Sequence, residues 1–157
     1  MKRMCMLAAA LLVIAGAEEA RGQALNYGPQ ISIADDADFG IGGRLQLPLV
    51  GIPLTFAGSF DVFFPDGDVD YWEINGNLMY DFRLPEAPTV TPYVGGGINI
   101  AHVSVDRDLL DDRDDTDAGL NLLGGLRFDL APLQPFIEAK FEIEGGEQFI
   151  LTGGLLF

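Results

Sequence analysis

A period of two runs through most of this chain, and it restricts the possible folds more than any other feature. Leu54, Phe56, Gly58, Phe60 and Val62 share one parity, while Thr55, Ala57, Ser59 and Asp61 hold the other. Further on, Trp72, Ile74, Gly76, Leu78, Tyr80 and Phe82 alternate with Glu73, Asn75, Asn77, Met79 and Asp81. The pattern recurs as Ile137, Ala139, Phe141 and Ile143 against Glu138, Lys140 and Glu142, and again as Leu120, Leu122, Leu126 and Phe128 against Asn121, Arg127 and Asp129. Successive side chains of a strand point to opposite faces, so each stretch specifies a strand with one apolar face. Beyond residue 24 no sustained 3.6-residue apolar period occurs, and helices are not expected.

Pro, Gly and Asp clusters divide the alternating stretches into eight: about Gln30 to Ala34, Phe39 to Leu47, Leu54 to Phe64, Asp70 to Phe82, Val90 to Val105, Asp117 to Phe128, Gln134 to Ile143 and Glu147 to Phe157. In the second, Phe39, Ile41, Gly43, Leu45 and Leu47 oppose Arg44 and Gln46. The last, Phe149-Ile-Leu-Thr-Gly-Gly-Leu-Leu-Phe157, alternates up to its final aromatic residue.

At the other end, Lys2 and Arg3 precede an apolar run from Met4 to Gly16 and then small residues, which reads as a secretory signal peptide over residues 1–24, with cleavage after Ala24 favoured over cleavage after Ala17. The run is too short to span a bilayer as a helix. The single cysteine, Cys5, falls inside this leader, so the remaining domain, residues 25–157, has no disulfide and no thiol nucleophile. The whole chain carries a formal charge of -15, which becomes about -16 without the leader. Such a chain is not built to bind nucleic acid, because a polyanion must be met by clustered Lys and Arg. Yet the mean hydropathy is +0.22, so acidic and apolar character must be sharply segregated.

Two architectures accommodate eight such strands. A lipocalin-like periplasmic barrel would turn its apolar face inward around an apolar ligand; a transmembrane barrel turns it outward and keeps a polar lumen. Three observations favour an eight-stranded antiparallel up-and-down transmembrane β-barrel. The polar set contains both signs, Arg44, Arg127 and Lys140 with Asp61, Glu73, Glu138 and Glu142, as a closed lumen requires for pairing. Several stretches have the roughly 9 to 11 residues of a tilted membrane strand. Aromatic residues, namely Phe39, Phe64, Trp72, Phe82, Tyr93, Phe149 and Phe157, stand near strand ends, where interfacial girdles belong.

The connections are expected to alternate in length and in composition. With an even strand number both termini share one side, predicted periplasmic, together with Pro48 to Pro53, Leu84 to Pro88 and Leu130 to Pro132. The other side carries Asp35, Asp36 and Asp38, then Asp66, Asp68 and Asp70, then the segment Asp106 to Asp117, with Gly145 and Gly146 in the last hairpin.

Pro92-Tyr-Val-Gly-Gly-Gly97, Gly124-Gly-Leu-Arg-Phe128, Pro135-Phe-Ile-Glu-Ala139 and Gly153-Gly-Leu-Leu-Phe157 together resemble the small outer-membrane β-barrel family with OmpA-like and OmpX-like eight-stranded members. The resemblance covers most of the domain. It implies the outer membrane of a Gram-negative-type bacterium, with membrane lipid and lipopolysaccharide as surroundings. It also implies that the terminal Phe157 is part of the signal read by the barrel-insertion machinery.

Catalytic, cofactor and metal residues are expected to be absent, after three candidates are weighed. His102 and Ser104 lie two apart on the face of Val94, Gly96, Ile98 and Ile100, and resemble the histidine and serine of lipid A deacylase barrels. Asp117 has the wrong parity to orient the imidazole, Val105 stands where that family has an asparagine, and only Asp70 remains on the preceding strand. A lipid A-modifying enzyme using His102 and Ser104 is therefore the alternative reading. The aspartates of Asp66 to Asp70 and Asp111 to Asp117 lack the glycine and terminal glutamate of an EF-hand loop and read as solvated charge. Eight strands leave room inside for side chains only, so no open pore is expected.

Overall fold

The structure, a computed structural model, describes residues 25–35, 38–65, 69–105, 113–143 and 147–157. The expected leader and most of the acidic connections lie outside these residues. Eight strands are formed: β1 (Asn26–Ala34), β2 (Asp38–Pro48), β3 (Leu54–Phe63), β4 (Val69–Asp81), β5 (Val90–Val105), β6 (Arg113–Phe128), β7 (Gln134–Ile143) and β8 (Phe149–Leu156). Each pairs antiparallel with the next, and β1 pairs antiparallel with β8, closing an up-and-down barrel. The expected fold class is therefore borne out in its architecture.

Two strands begin four residues earlier than the sequence suggests. β1 includes Gly28 and Pro29, which read as a turn signal but lie within the ladder, Pro29 opposite Gly43. The β1–β8 seam runs from Ala34↔Ile150 to Gln30↔Gly154, and beyond Pro29 it is closed again by reciprocal backbone bonds between Tyr27 and Phe157, at 3.3 and 2.9 Å. β6 starts at Arg113 rather than Asp117 and pairs with β5 as far as Val105↔Arg113, whereas its described ladder with β7 ends at Leu120↔Ile143. The β5–β6 hairpin thus outruns its β7 side.

This extension overturns the expected alternation in connection length. The connections at the end bearing the termini span 49–53, 82–89 and 129–133; those at the opposite end span 35–37, 64–68, 106–112 and 144–148. The longest is at the terminal end, because residues assigned to the outer acidic loop join β6. The alternation that remains is one of composition, proline and aliphatic residues against aspartate.

The two strand faces fall as the alternation requires. Ile31, Phe39, Ile41, Phe56, Ile74, Leu78, Ile98, Leu120, Leu122, Ile137, Phe141 and Leu151 are exposed on the outer wall, while Arg44, Asp61, Glu73, Arg127, Glu138, Lys140 and Glu142 are all buried inside. The polarity is the reverse of that in a soluble ligand-binding barrel, and the lipocalin-like alternative loses its apolar cavity. Outer aromatic residues meet in pairs near the strand ends: Phe39 with Phe64 (6.4 Å between ring centres), Phe60 with Trp72 (6.0 Å), Tyr80 with Phe82 (5.0 Å) and Phe141 with Phe149 (4.7 Å). Tyr93 departs from the expected girdle. It has the inward parity of β5, is 1 % exposed, and its hydroxyl donates to Glu138 inside the barrel.

Three interior aromatic rings lie over a glycine directly opposite in the neighbouring strand: Tyr93 over Gly125, Phe136 over Gly154 and Phe63 over Gly40. A Cβ at Gly125 would come within 2.6 Å of Tyr93 Cζ, and one at Gly154 within 2.6 Å of Phe136 Cζ. Glycine thus clears the space into which the ring folds, covering bare backbone and filling a strongly curved wall.

Candidate functional site

The interior is the most elaborate polar assembly among the described residues, and side chains from all eight strands hydrogen-bond within it. At its centre Arg44 of β2 reaches across to Glu138 of β7 with two guanidinium bonds, Nη1 to Oε2 at 2.8 Å and Nη2 to Oε1 at 2.5 Å. Tyr93 Oη donates to Glu138 Oε2 at 2.9 Å, and the guanidinium lies 4.5 Å over the ring of Phe136. A bidentate, stacked arginine of this kind is fixed in direction as well as position.

Towards the end remote from the termini, Lys140 Nζ contacts Glu73 (3.2 Å), Glu142 (2.7 Å) and Asn75 Oδ1 (2.9 Å). Gln148, just ahead of β8, points inward and donates to the Tyr71 hydroxyl, Glu73 and Glu142 at 2.7 to 3.0 Å, and Tyr71 in turn donates to Glu73. Asn121 Nδ2 bridges Asn75 (2.9 Å) and Asn77 (3.0 Å). Above this network an apolar layer of Ala34, Phe63, Tyr71, Ala101 and Ile150 fills the barrel. Towards the termini, Arg127 meets Gln46 Oε1 (3.0 Å) and Asp81 (3.4 Å), while Thr55 donates to Asp81 at 2.6 Å. Both amide atoms of Asn99, which is fully buried, have no hydrogen-bond partner among the described residues.

This arrangement pairs the interior cations and fills space, while Asp61 is held by the amide of Gln30 and the hydroxyl of Ser59. Each interior cation has at least one acid within 4 Å, so the ions are held by one another. The alternation placed the charged residues inside, but not their partners: Arg44 and Glu138 are 94 residues apart and meet only because the barrel closes.

On the outer wall, His102 and Ser104 share a face as expected, but the earlier start of β6 changes what surrounds them. His102 is flanked by Trp72 on β4 and Thr116 on β6, and Ser104 by Asp70 and Asp114. His102 Nδ1 is 2.8 Å from Thr116 Oγ1, and its ring stacks on Trp72 with centres 5.0 Å apart. The nitrogen that a catalytic carboxylate would hold is instead held by a hydroxyl. Asp117 pairs with Ala101, on the inner parity, as expected. Thr116 and Asp114 were missed because a run of aspartates carries no alternation. Among the described residues no group of three or more His, Cys, Asp or Glu is placed to hold a metal ion, and the aspartates 36, 66, 68, 106, 108, 111 and 112 lie outside those residues.

Taken together, the fold and its interior define a class: a closed, eight-stranded antiparallel barrel with a plugged polar core and an apolar outer wall. No protein-family model and no curated protein matches the sequence. Solved structures do match. The N-terminal β-barrel domain of Pseudomonas aeruginosa OprF aligns over 85% of this chain and 96% of its own length, with TM-score 0.63 and 16% identity. Neisserial surface protein A aligns over 86% and 97%, with TM-score 0.62 and 18% identity. Ail, the attachment invasion locus protein of Yersinia pestis, aligns over 85% and 94%, with TM-score 0.60 and 16% identity. The fold is that of small eight-stranded outer-membrane barrels, in agreement with the sequence resemblance.

Proposed function

We propose that this protein is an outer-membrane β-barrel with a structural or surface role in a Gram-negative-type envelope, non-catalytic and without an open pore. The observation that carries this reading is the inverted polarity. A continuous apolar wall facing outward has no favourable exposure to water, whereas a bilayer accommodates it, and closure satisfies the backbone there. The start of β1 and the end of β8 lie at one end of the barrel, which is the periplasmic end in this reading. Residues 1–24 serve as the export signal and Phe157 is presented to the insertion machinery.

The ion-paired interior supports a plugged barrel rather than a conduit. The hold of Thr116 and Trp72 on His102 supports an interfacial role for that residue. Ail has been solved with the heparin analogue sucrose octasulfate. The aspartates flanking the outer connections here would repel such a polyanion, so lipopolysaccharide, met through divalent cations, is the partner we assign to this rim.

Membrane fractionation with heat-modifiable electrophoretic mobility tests the proposal. The folded chain is expected in the outer-membrane fraction, migrating differently before and after boiling. Release with the periplasmic contents would overturn it. Altered lipid A on expression, read by mass spectrometry and lost in His102→Ala, would instead establish the enzymatic alternative.

A further inference from the structure

We infer that the terminal end of the barrel carries a binding site for a phospholipid with a net anionic headgroup, centred on Arg83. The inference rests on the membrane location proposed above. A cleft of about 440 Å³ lies between the β2–β3 and β4–β5 connections, lined by Gly51, Ile52, Pro53 and the run Tyr80 to Leu84. Arg83 is the one cation in the three terminal-end connections. It is exposed and, among the described residues, makes no ion pair, even though Glu86 follows it in the same connection. An exposed guanidinium offers planar donors that match the oxygens of a phosphodiester.

The surroundings specify a lipid rather than a free anion. Tyr80 and Phe82, packed edge to face with centres 5.0 Å apart, belong to the outer apolar wall, so the cleft opens at the border between that wall and the aqueous end. Ile52 and Leu84 are exposed on either side and supply apolar surface for the start of an acyl chain. The one acid in the lining, Asp81, is engaged by Thr55 Oγ1 at 2.6 Å and by Arg127 at 3.4 Å. It therefore neither neutralises Arg83 nor stands ready to receive the ammonium group of a zwitterionic headgroup. A phosphodiester without a compensating cation fits the site best.

The test uses the full-length mature chain refolded into nanodiscs of equal parts phosphatidylglycerol and phosphatidylcholine, with insertion scored by heat-modifiable mobility. Lipid retained after transfer to mild detergent is then counted by native mass spectrometry. The wild type is expected to keep phosphatidylglycerol in preference to phosphatidylcholine. Arg83→Gln should keep it about tenfold less well, and Arg83→Lys should recover part of the difference. Equal retention by wild type and Arg83→Gln, or no preference between the two lipids, would overturn the site while leaving the membrane location intact. Displacement of the lipid by millimolar inorganic phosphate would reduce it to a site for free anions. Failure of the wild type to enter nanodiscs would remove the location itself, and the inference with it.

Discussion

Arg44 illustrates how one residue in this barrel depends on several strands. Its guanidinium is held by Glu138 and lies over Phe136, whose ring fits only because Gly154 has no side chain; Glu138 also accepts from Tyr93, which occupies the space above Gly125. Removing one charge strands the other in a buried site, whereas removing both leaves an apolar pair. Glu138→Leu is therefore expected to cost about 3 to 5 kcal/mol in denaturant unfolding from lipid vesicles, and Arg44→Met with Glu138→Leu to recover most of that loss. Recovery confined to a few tenths would mean that Tyr93 and Phe136, not charge balance, set the cost. Adjacent residues of β6 respond for different reasons. Leu122→Arg places a charge on the apolar wall, at roughly 2 to 4 kcal/mol near a bilayer midplane. Asn121→Ala leaves Asn77 Oδ1 without its donor and Asn75 Oδ1 with Lys140 alone, at roughly 1 to 3 kcal/mol. Comparing the two variants in bilayers and in detergent separates the effects: only the Leu122 variant should depend strongly on bilayer thickness.

At the level of strands, six of the eight were legible to within two residues because their alternation is uninterrupted. β1 and β6 were shortened where the signal fails: Gly28 and Pro29 imitate a turn, and Arg113 to Asp117 are polar on both parities. Tyr93 fits the girdle by its nearness to a strand end, but its alternation with the outward Val94 gives it the inward parity found in the structure. Cross-barrel pairing was never legible, since the stagger that brings β2 opposite β7 is a property of the closed sheet. The unequal ends of β6 have a measurable result. Residues Arg113–Gly119 pair with β5 alone among the described residues, so their amides should exchange with solvent faster than those of Leu120–Arg127, which are held from both sides. Uniform protection along β6 would indicate that the outer connections cover this edge.

On the scale of the whole molecule, closure depends on the seam between the first and last strands. Tyr27 and Phe157 complete it with two backbone bonds, in register with the pairs above them. Deleting Phe157 is expected to lower the membrane-inserted fraction while the barrel that does insert retains heat-modifiable mobility; unchanged insertion would limit Phe157 to an ordinary interfacial ring. The charge asymmetry between the ends belongs to this scale too. It was visible in the sequence as aspartate against proline, even though the expected difference in length was not found.

The alternation of the strand faces also bears on the journey before folding. Polar, charged, proline and glycine residues interrupt the apolar ones throughout, so no stretch of the domain reaches the roughly 20 consecutive apolar residues by which a membrane recognises a helix. In the outer-membrane location proposed above, the unfolded chain would therefore pass through the inner bilayer without being retained there. Its apolar surface becomes continuous only when eight strands are laid side by side, so the affinity for lipid is created by folding and, in that location, would be expressed at the second membrane rather than the first.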